Sequence, residues 1–560
     1  MAEPGRATPV SGAPARHRAV RTSPRRPPVP VPLRVTAVAA VALAAAWLAA
    51  PPMGTDLAAQ VARADFFAAH GWTPVDLRWY GGVSPLGYSL LSPPLMAWAG
   101  PRPVGAAAAV VSALALVELL RRTGARRPAL GGVLGAVAFT GNLVSGRVTF
   151  AVGVALGLLA LLALVAVPAR PRAARPVVAA GLAAAAAAAS PVAGLFVGLA
   201  GVALLAAGAT EGRLRAPGGR TLAGGVALAV GAAVPMAAMA GLFGTGGWMN
   251  ISVGDTVRAA GASLAVAALV PVRQIRAGAL LSAGGVLAAY LLTTPVGLNA
   301  TRLAAMFALP LVAAYATAPA WLPARVRALP PAAWLAPLLV LLAAWQPPVV
   351  YADLARAGDP TARQAYYAPL RAELARRDPA GRVEVVPTAD YWESAYLGDV
   401  PLARGWLRQA DTGRHPLFFD GTLDGESYRR WLADNGVTHV AVAGSPPSWV
   451  GRREAELVRA GQPYLRQVWR GGDWTLYEVV GATGLVDGPA QVADHRADTV
   501  VLTVTAPGDL LLRVRSSPYL SVSGPAGACL APAGEWTALR APAPGRYEVG
   551  SALLGAGPRC

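Results

Sequence analysis

Gly54-Thr55-Asp56 stands directly behind a first apolar run, Pro32 to Ala50, and opens the one long polar insertion among the hydrophobic segments, residues 51–103. A carboxylate placed there emerges at a membrane surface. It can take a proton from an attacking hydroxyl, or hold a divalent cation, where a lipid-linked donor would present its phosphate. The residues also suit a plainer role, capping the helix DLAAQVARADFFAAHG, and by residue type alone the cap is the stronger account. Asp65 lies nine residues on, about two and a half helical turns, so it falls on a nearly opposite face and reads as a solvated charge.

A phosphate beside Asp56 needs cations on the same side. Three arginines qualify as donor-phosphate ligands: Arg78 in DLRWYGG, Arg147 in SGRVTF and Arg302 in LNATRLAAMF. For Arg147 and Arg302 the competing account is snorkelling to lipid headgroups from a helix start. Trp79, Tyr80 and Tyr88, with Trp72, are candidates to stack on a sugar or an acceptor; an interfacial aromatic belt explains them more simply. Asp255 in NISVGDT is a second outer carboxylate that reads best as a turn residue. Further along, DYWESAYLGDVPLARGW (390–406) and RHPLFFDG (414–421) hold Trp392, Glu393, Arg404 and Trp406, which either contact an acceptor glycan or, the better account, pack a domain.

The elements that must position these residues are membrane helices. The chain has 560 residues, 54% of them hydrophobic and 14% charged, with repeated apolar runs close to the roughly 20 residues that span a bilayer. Its net charge is +19, all of the cationic excess being arginine, but much of that arginine separates apolar runs. The positive-inside rule accounts for it, and nucleic acid is excluded as a partner. Residues 1–31, rich in Pro and Arg, read as a disordered cytoplasmic tail. Were Leu86 to Ala99 to cross, Arg121, Arg122, Arg126 and Arg127 would fall outside; the segment is also short and broken by prolines, so it is interfacial or re-entrant. Spans then follow the first at 104–120, 129–143, 146–167, 177–189, 191–209, 222–243, 257–271, 277–293, 302–318 and 331–347. This gives a polytopic α-helical membrane protein of about eleven transmembrane helices over residues 32–347, with a cytoplasmic N-terminus and multi-pass residence in the plasma membrane. Residues 348–480 read as an extracytoplasmic α/β domain and 481–560 as a β-rich domain of β-sandwich type.

The order of these parts resembles the GT-C class of glycosyltransferases, which includes protein O-mannosyltransferases, aminoarabinose transferases and the arabinofuranosyltransferases of actinobacteria. The resemblance rests on a first helix, an outer loop opening on an acid, an amphipathic helix, the segment GxxPLGYxxLSPPL and a second helix ending in basic residues. It covers residues 32–347 in layout. It implies a polyprenyl-linked sugar donor, a cell-envelope glycan or lipid acceptor, and Asp56 as catalytic base or metal ligand. The histidine often found before the two prolines is Ser92 here, a departure from the mannosyl and aminoarabinosyl branches.

Two other classes compete: a secondary transporter and a non-catalytic envelope-assembly protein. A transporter needs acids at mid-membrane depth, and Glu118 is the one acid well inside a predicted span, near its cytoplasmic end. No Walker loop, nucleophile elbow or dinucleotide-binding glycine pattern occurs. The two cysteines, Cys529 and Cys560, either pair, as an exported domain permits, or remain separate thiols.

Overall fold

The computed structural model describes residues 1–2, 29–166, 174–209, 218–244, 246–318, 323–553, 557 and 559–560. Most of the proposed tail at 1–31 and of the arginine-bearing links at 168–176 and 211–220 lies outside the described residues. Helix α1 (Val31–Ala49) ends where Pro51-Pro52 cannot continue it, α2 (Leu57–His70) and α3 (Ser92–Ala99) occupy the first loop, and α4 (Pro101–Arg122) begins on prolines that suit a first helical turn. The bundle continues through α5 (Pro128–Val144), α6 (Val148–Ala166), α7 (Ala174–Ala189), α8 (Pro191–Ala209), α9 (Gly218–Phe243), α10 (Val253–Leu269), α11 (Arg273–Leu291) and α12 (Arg302–Tyr315). The short α13 (Ala324–Arg327) precedes α14 (Pro331–Trp345).

Among the described residues seven helical segments are long and apolar enough to cross a membrane, and α5, α7 and α14 are shorter apolar helices. The chain is therefore built as a membrane protein. The alanine-rich stretch around Ser190-Pro191 makes two helices, α7 and α8. Helix α7 buries Ala179, Ala183, Ala186, Ala187 and Ala189, small side chains that let backbones approach where no hydrophobic effect drives helices together. The segment from Leu86 to Ala99 holds only the eight-residue α3, too short to span.

Beyond α14 the chain turns to water-soluble architecture. Short helices α15 (Tyr351–Ala355), α16 (Gln364–Arg377), α17 (Glu393–Tyr396), α18 (Arg408–Arg414), α19 (Gly425–Asp434) and α20 (Arg452–Arg459) surround a mixed sheet of order β1-β2-β4-β3. Its strands are β1 (Arg382–Val385), β2 (Val437–Ala443), β3 (Leu465–Gly471) and β4 (Trp474–Val479); β1 and β2 run parallel and the other pairs antiparallel. Two four-stranded sheets follow. One joins β5 (Val486–Asp487), β8 (Gly508–Arg515), β10 (Cys529–Ala533) and β11 (Trp536–Ala541); the other joins β6 (Ala490–His495), β7 (Thr499–Val504), β9 (Leu520–Ser523) and β12 (Gly545–Ser551). Their inner faces share one core, with Val500, Leu502, Leu512, Leu539 and Tyr547 buried, so this is a β-sandwich. Cys529 and Cys560 are joined by a disulfide.

The first loop locks these parts together. Asp76 and Val83 exchange backbone hydrogen bonds of 2.8 and 3.0 Å, closing a tight hairpin. Val75 and Leu77, on its incoming arm, enter the sandwich core, while Trp79 and Tyr80, at its tip, enter the core of the α/β part. The Leu402 N–H donates to the Arg78 carbonyl at 2.7 Å, and Arg515 donates to the Tyr80 carbonyl through Nε at 2.9 Å and to the Gly81 carbonyl through its backbone at 2.8 Å. Burial of the hairpin thus seats both the α/β part and the sandwich on the loop that carries Asp56.

Candidate functional site

Asp56 precedes α2, and its side chain makes no capping hydrogen bond. The cap is therefore not what holds this carboxylate. It is buried, and its Oδ2 lies 3.5 Å from Arg302 Nη2 and 3.6 Å from Arg147 Nε. The backbone brings them together. The Asp56 N–H donates to the Ser145 carbonyl at 3.1 Å, which lays the loop after α1 on the turn between α5 and α6. Gly54 (φ 92°) and Gly146 (φ 76°) make that approach possible: a Cβ on the first would strike the Val144 carbonyl, and one on the second the Leu57 backbone. Asn142 Nδ2 donates to the Arg147 carbonyl at 3.2 Å and steadies the same turn. Arg302 comes from the N-terminal end of α12, its guanidinium 5.2 Å from the Phe150 ring centre. Both arginines turn inward to the carboxylate, where a snorkelling side chain would turn out.

At 3.5 and 3.6 Å these contacts are too long to be firm hydrogen bonds. Arg302 Nη2 keeps only this long hydrogen bond to Asp56, and Arg147 Nε is buried without a hydrogen-bond partner among the described residues. Asp353, buried on α15, is a further carboxyl in this field; burial raises it above the usual aspartate range while Arg147 pulls the other way.

Arg63 is the residue that the sequence reading missed. It is buried on α2, its guanidinium 3.6 Å from the Tyr88 ring centre and 5.1 Å from that of Trp406, and its Nη1 has no hydrogen-bond partner among the described residues. Burial lowers its pKa, with Tyr88, Asp76 and Asp56 acting the other way. A desolvated cation without a close counter-ion is costly, and an anionic ligand would relieve that cost. A signal was present: Asp56, Gln60 and Arg63 are spaced four and three apart, which puts all three on one face of a helix. Gln60 does link to this face, donating from Nε2 to the Asp56 carbonyl at 3.3 Å and accepting from the Thr149 hydroxyl.

Asp56, Arg63, Arg147 and Arg302 line a single cavity of about 740 Å³ between the helix ends and the outer α/β part. One wall is apolar, with Leu195, Met236, Met239 and Ala240 from α8 and α9. Another is polar and aromatic, with Tyr88, Tyr391, Trp406, Arg408 and Trp449. Trp406 Nε1 donates to the Thr55 carbonyl at 2.5 Å, so the outer part closes directly over Asp56.

Other predicted site residues are placed elsewhere. Arg78 is not brought to the cavity: its Nη2 and Nε reach the two oxygens of Asp76 at 2.7 and 3.0 Å, and Nη2 also donates to the Ala62 carbonyl at 3.0 Å. Its Nε and Nη2 donors are thus engaged inside the fold. Tyr80 is buried with its hydroxyl donating to the Gly405 carbonyl at 2.7 Å and does not line the cavity. Trp79 touches the cavity edge, but its indole N–H donates to the Ser394 carbonyl at 3.3 Å and it is only 2% exposed. Tyr88 does face the cavity. Trp392, Glu393 and Arg404 are buried, and Arg404 joins Glu384 and Glu454 at 2.9 and 2.6 Å within the α/β core. Asp255 lines the cavity but pairs with Arg258 at 3.1 Å.

A divalent cation at Asp56 would meet two guanidiniums that repel it, with Asp353, which burial pushes toward its neutral form, as the further carboxyl in the field. Among the described residues no three His, Cys, Asp or Glu side chains gather into a metal site. The residues present do not fit a resident metal ion.

No family model matches the sequence, and no curated protein matches it. Among solved structures the chain is similar to a single-particle cryo-EM structure of the arabinofuranosyltransferase AftD from Mycobacteria, with a TM-score of 0.42 and 18% identity over 85% of this chain and 41% of that one. Two classes of a mutant of AftD give TM-scores of 0.42 and 0.44 at 17% identity, again over 85% of this chain, covering 43% and 42% of theirs. The chain thus spans about two fifths of the length of the structures it matches.

Proposed function

We propose that this protein is a membrane glycosyltransferase that moves a sugar from a polyprenyl-phosphate donor to an acceptor of the cell envelope on the outer face of the plasma membrane. The observation that carries this is one buried carboxylate, Asp56, that lines a cavity together with Arg63, Arg147 and Arg302, two of which, Arg63 and Arg147, hold a buried N–H without a partner among the described residues. Three guanidiniums against Asp56 and a neighbouring Asp353 whose burial favours its neutral form leave positive charge for a phosphate. The apolar wall on α8 and α9 suits a prenyl chain.

In the reaction, an acceptor hydroxyl oxygen bonds to the anomeric carbon as that carbon's bond to the phosphate oxygen breaks. The electron pair leaves on the polyprenyl phosphate, and the hydroxyl proton passes to Asp56. Arg63, Arg147 and Arg302 bind the phosphate and stabilise the charge it gains. Arg78 holds the hairpin beneath them.

The proposal includes a topology. The N-terminus is cytoplasmic, Arg121, Arg122, Arg126 and Arg127 face the cytoplasm, and residues 348–480 and 481–560 are extracytoplasmic domains. Support comes from the ends of the helices: Asp56, Arg147, Ser190 and Arg302 all line the cavity, whereas those four arginines do not. A disulfide in the last domain agrees with an oxidising compartment. For a transporter, Glu118 would be the acid of interest, but it is tied to Arg121 and Arg122 at 2.9 and 2.6 Å.

The test is transfer of radiolabelled sugar from polyprenyl phosphate by membranes carrying the wild type or Asp56→Asn. The variant should insert normally and lose transfer by about two or more orders of magnitude. Unimpaired transfer would remove Asp56 from the chemistry.

A further inference from the structure

The polar and aromatic wall of the cavity is left unused by a donor bound at Asp56 and along α8 and α9. Trp449 is the exposed tryptophan among the described residues of 348–560, 52% accessible, and it lies on this wall. The Arg408 guanidinium sits 5.0 Å from its ring centre, and Arg408 Nη2 donates to the Tyr391 hydroxyl at 2.9 Å. Tyr391 is held at φ 61°, a left-handed conformation uncommon for a residue with a side chain. Ser448 is 3% exposed, lines the same wall, and its hydroxyl has no hydrogen-bond partner among the described residues. A half-exposed indole, a guanidinium over its ring and an unused buried hydroxyl together match a sugar ring, which offers an apolar face for stacking on the exposed part of the indole and hydroxyls that both donate and accept.

We infer that this wall is the acceptor subsite and that it takes the terminal ring of a neutral glycan, stacked on Trp449 with its hydroxyls on Arg408 and Ser448. The inference rests on the transferase proposal for its orientation. Neutrality follows from the charges on the wall: Arg408 lies in the field of the Asp411 carboxyl and Arg356 is paired with Asp390 at 3.1 Å, so each of these cations already faces an acid, while Arg408 keeps N–H groups beyond the one on Tyr391 for sugar hydroxyls. Trp406 bridges this wall to the chemistry. Its indole lies edge-on to Tyr88, ring centres 6.1 Å apart, while its N–H holds the Thr55 carbonyl beside Asp56.

The experiment uses the full chain in lipid nanodiscs, probed in parallel with an array of neutral di- and trisaccharides and with a synthetic polyprenyl monophosphate. The wild type should bind at least one array glycan. Trp449→Ala and Arg408→Gln should weaken that binding about tenfold or more, while Trp449→Phe, which keeps a ring, should lose much less. All three variants should bind polyprenyl phosphate as the wild type does, which also shows that they fold. Polyprenyl phosphate binding with no array glycan bound, or with Trp449→Ala equal to the wild type, overturns the subsite. Glycan binding that depends on Trp449 in a protein that ignores polyprenyl phosphate supports the subsite and counts against the transferase proposal instead.

Discussion

The Asp56 N–H donates to the Ser145 carbonyl oxygen across 3.1 Å, and this bond joins two loops that lie 89 residues apart in the chain. The carboxylate of one loop meets the guanidinium of Arg147, two residues beyond Ser145 in the other, because the backbones touch. The geometry of the site is thus set by main chain first and by side chains second.

That dependence predicts the effect of adding one methyl group. In Gly146→Ala the new Cβ would strike the Leu57 backbone, on top of the roughly 1–2 kcal/mol that a left-handed φ costs alanine. Gly124 has a similar φ of 74°, but nothing lies within reach of a Cβ there. Gly124→Ala should therefore show only the conformational cost. Gly146→Ala should show a clearly lower melting temperature and lose sugar transfer; equal losses in the two variants would contradict the close-approach account.

Arg302 and Arg78 should separate ligand binding from folding. Arg302→Gln leaves Asp56 beside Arg147, so the fold should hold while transfer falls about 10²–10³-fold, the usual cost of losing a donor aimed at developing charge. Arg78→Gln abandons a buried Asp76 carboxylate and should destabilise the protein by roughly 3–5 kcal/mol. Thermal unfolding and polyprenyl phosphate binding, measured on both variants, read the two effects. The reverse pattern would exchange their roles.

Glu393 should impose a pH dependence on stability. Burial lifts its carboxyl from the usual 4.5 to about 7, with hydrogen bonds from Thr388 opposing the shift. Because the folded pKa is the higher one, the folded protein holds a proton between about pH 4.5 and 7 that the unfolded chain releases. This contribution to stability is complete below about pH 4.5 and is lost as pH rises through 7, by roughly 3 kcal/mol at most. Glu393→Gln, which mimics the protonated acid, should remove that slope from a series of melting curves. A slope unchanged in the variant would assign the effect to other groups.

Much of this architecture can be read from the chain by itself, because the signals are local. Apolar length, prolines at helix starts and the placement of arginine between runs lead to membrane helices that begin and end close to the expected positions, as at Val31–Ala49 and Pro191–Ala209. The same alternation singles out Asp56, Arg147 and Arg302, since each follows or opens a helix. Arg63 and Arg78 could not be told apart in this way. Both are arginines in the first loop, and which of them is tied to an acid depends on Asp76 and on rings brought from Tyr88 and Trp406, the last 343 residues away from Arg63 in the chain. Sequence alone picked out a carboxylate and two guanidiniums beside helix ends. Only the tertiary structure decided that they share a cavity, because that required two glycine-mediated backbone contacts and the burial of a hairpin between two distant domains, interactions whose partners leave no mark in local periodicity.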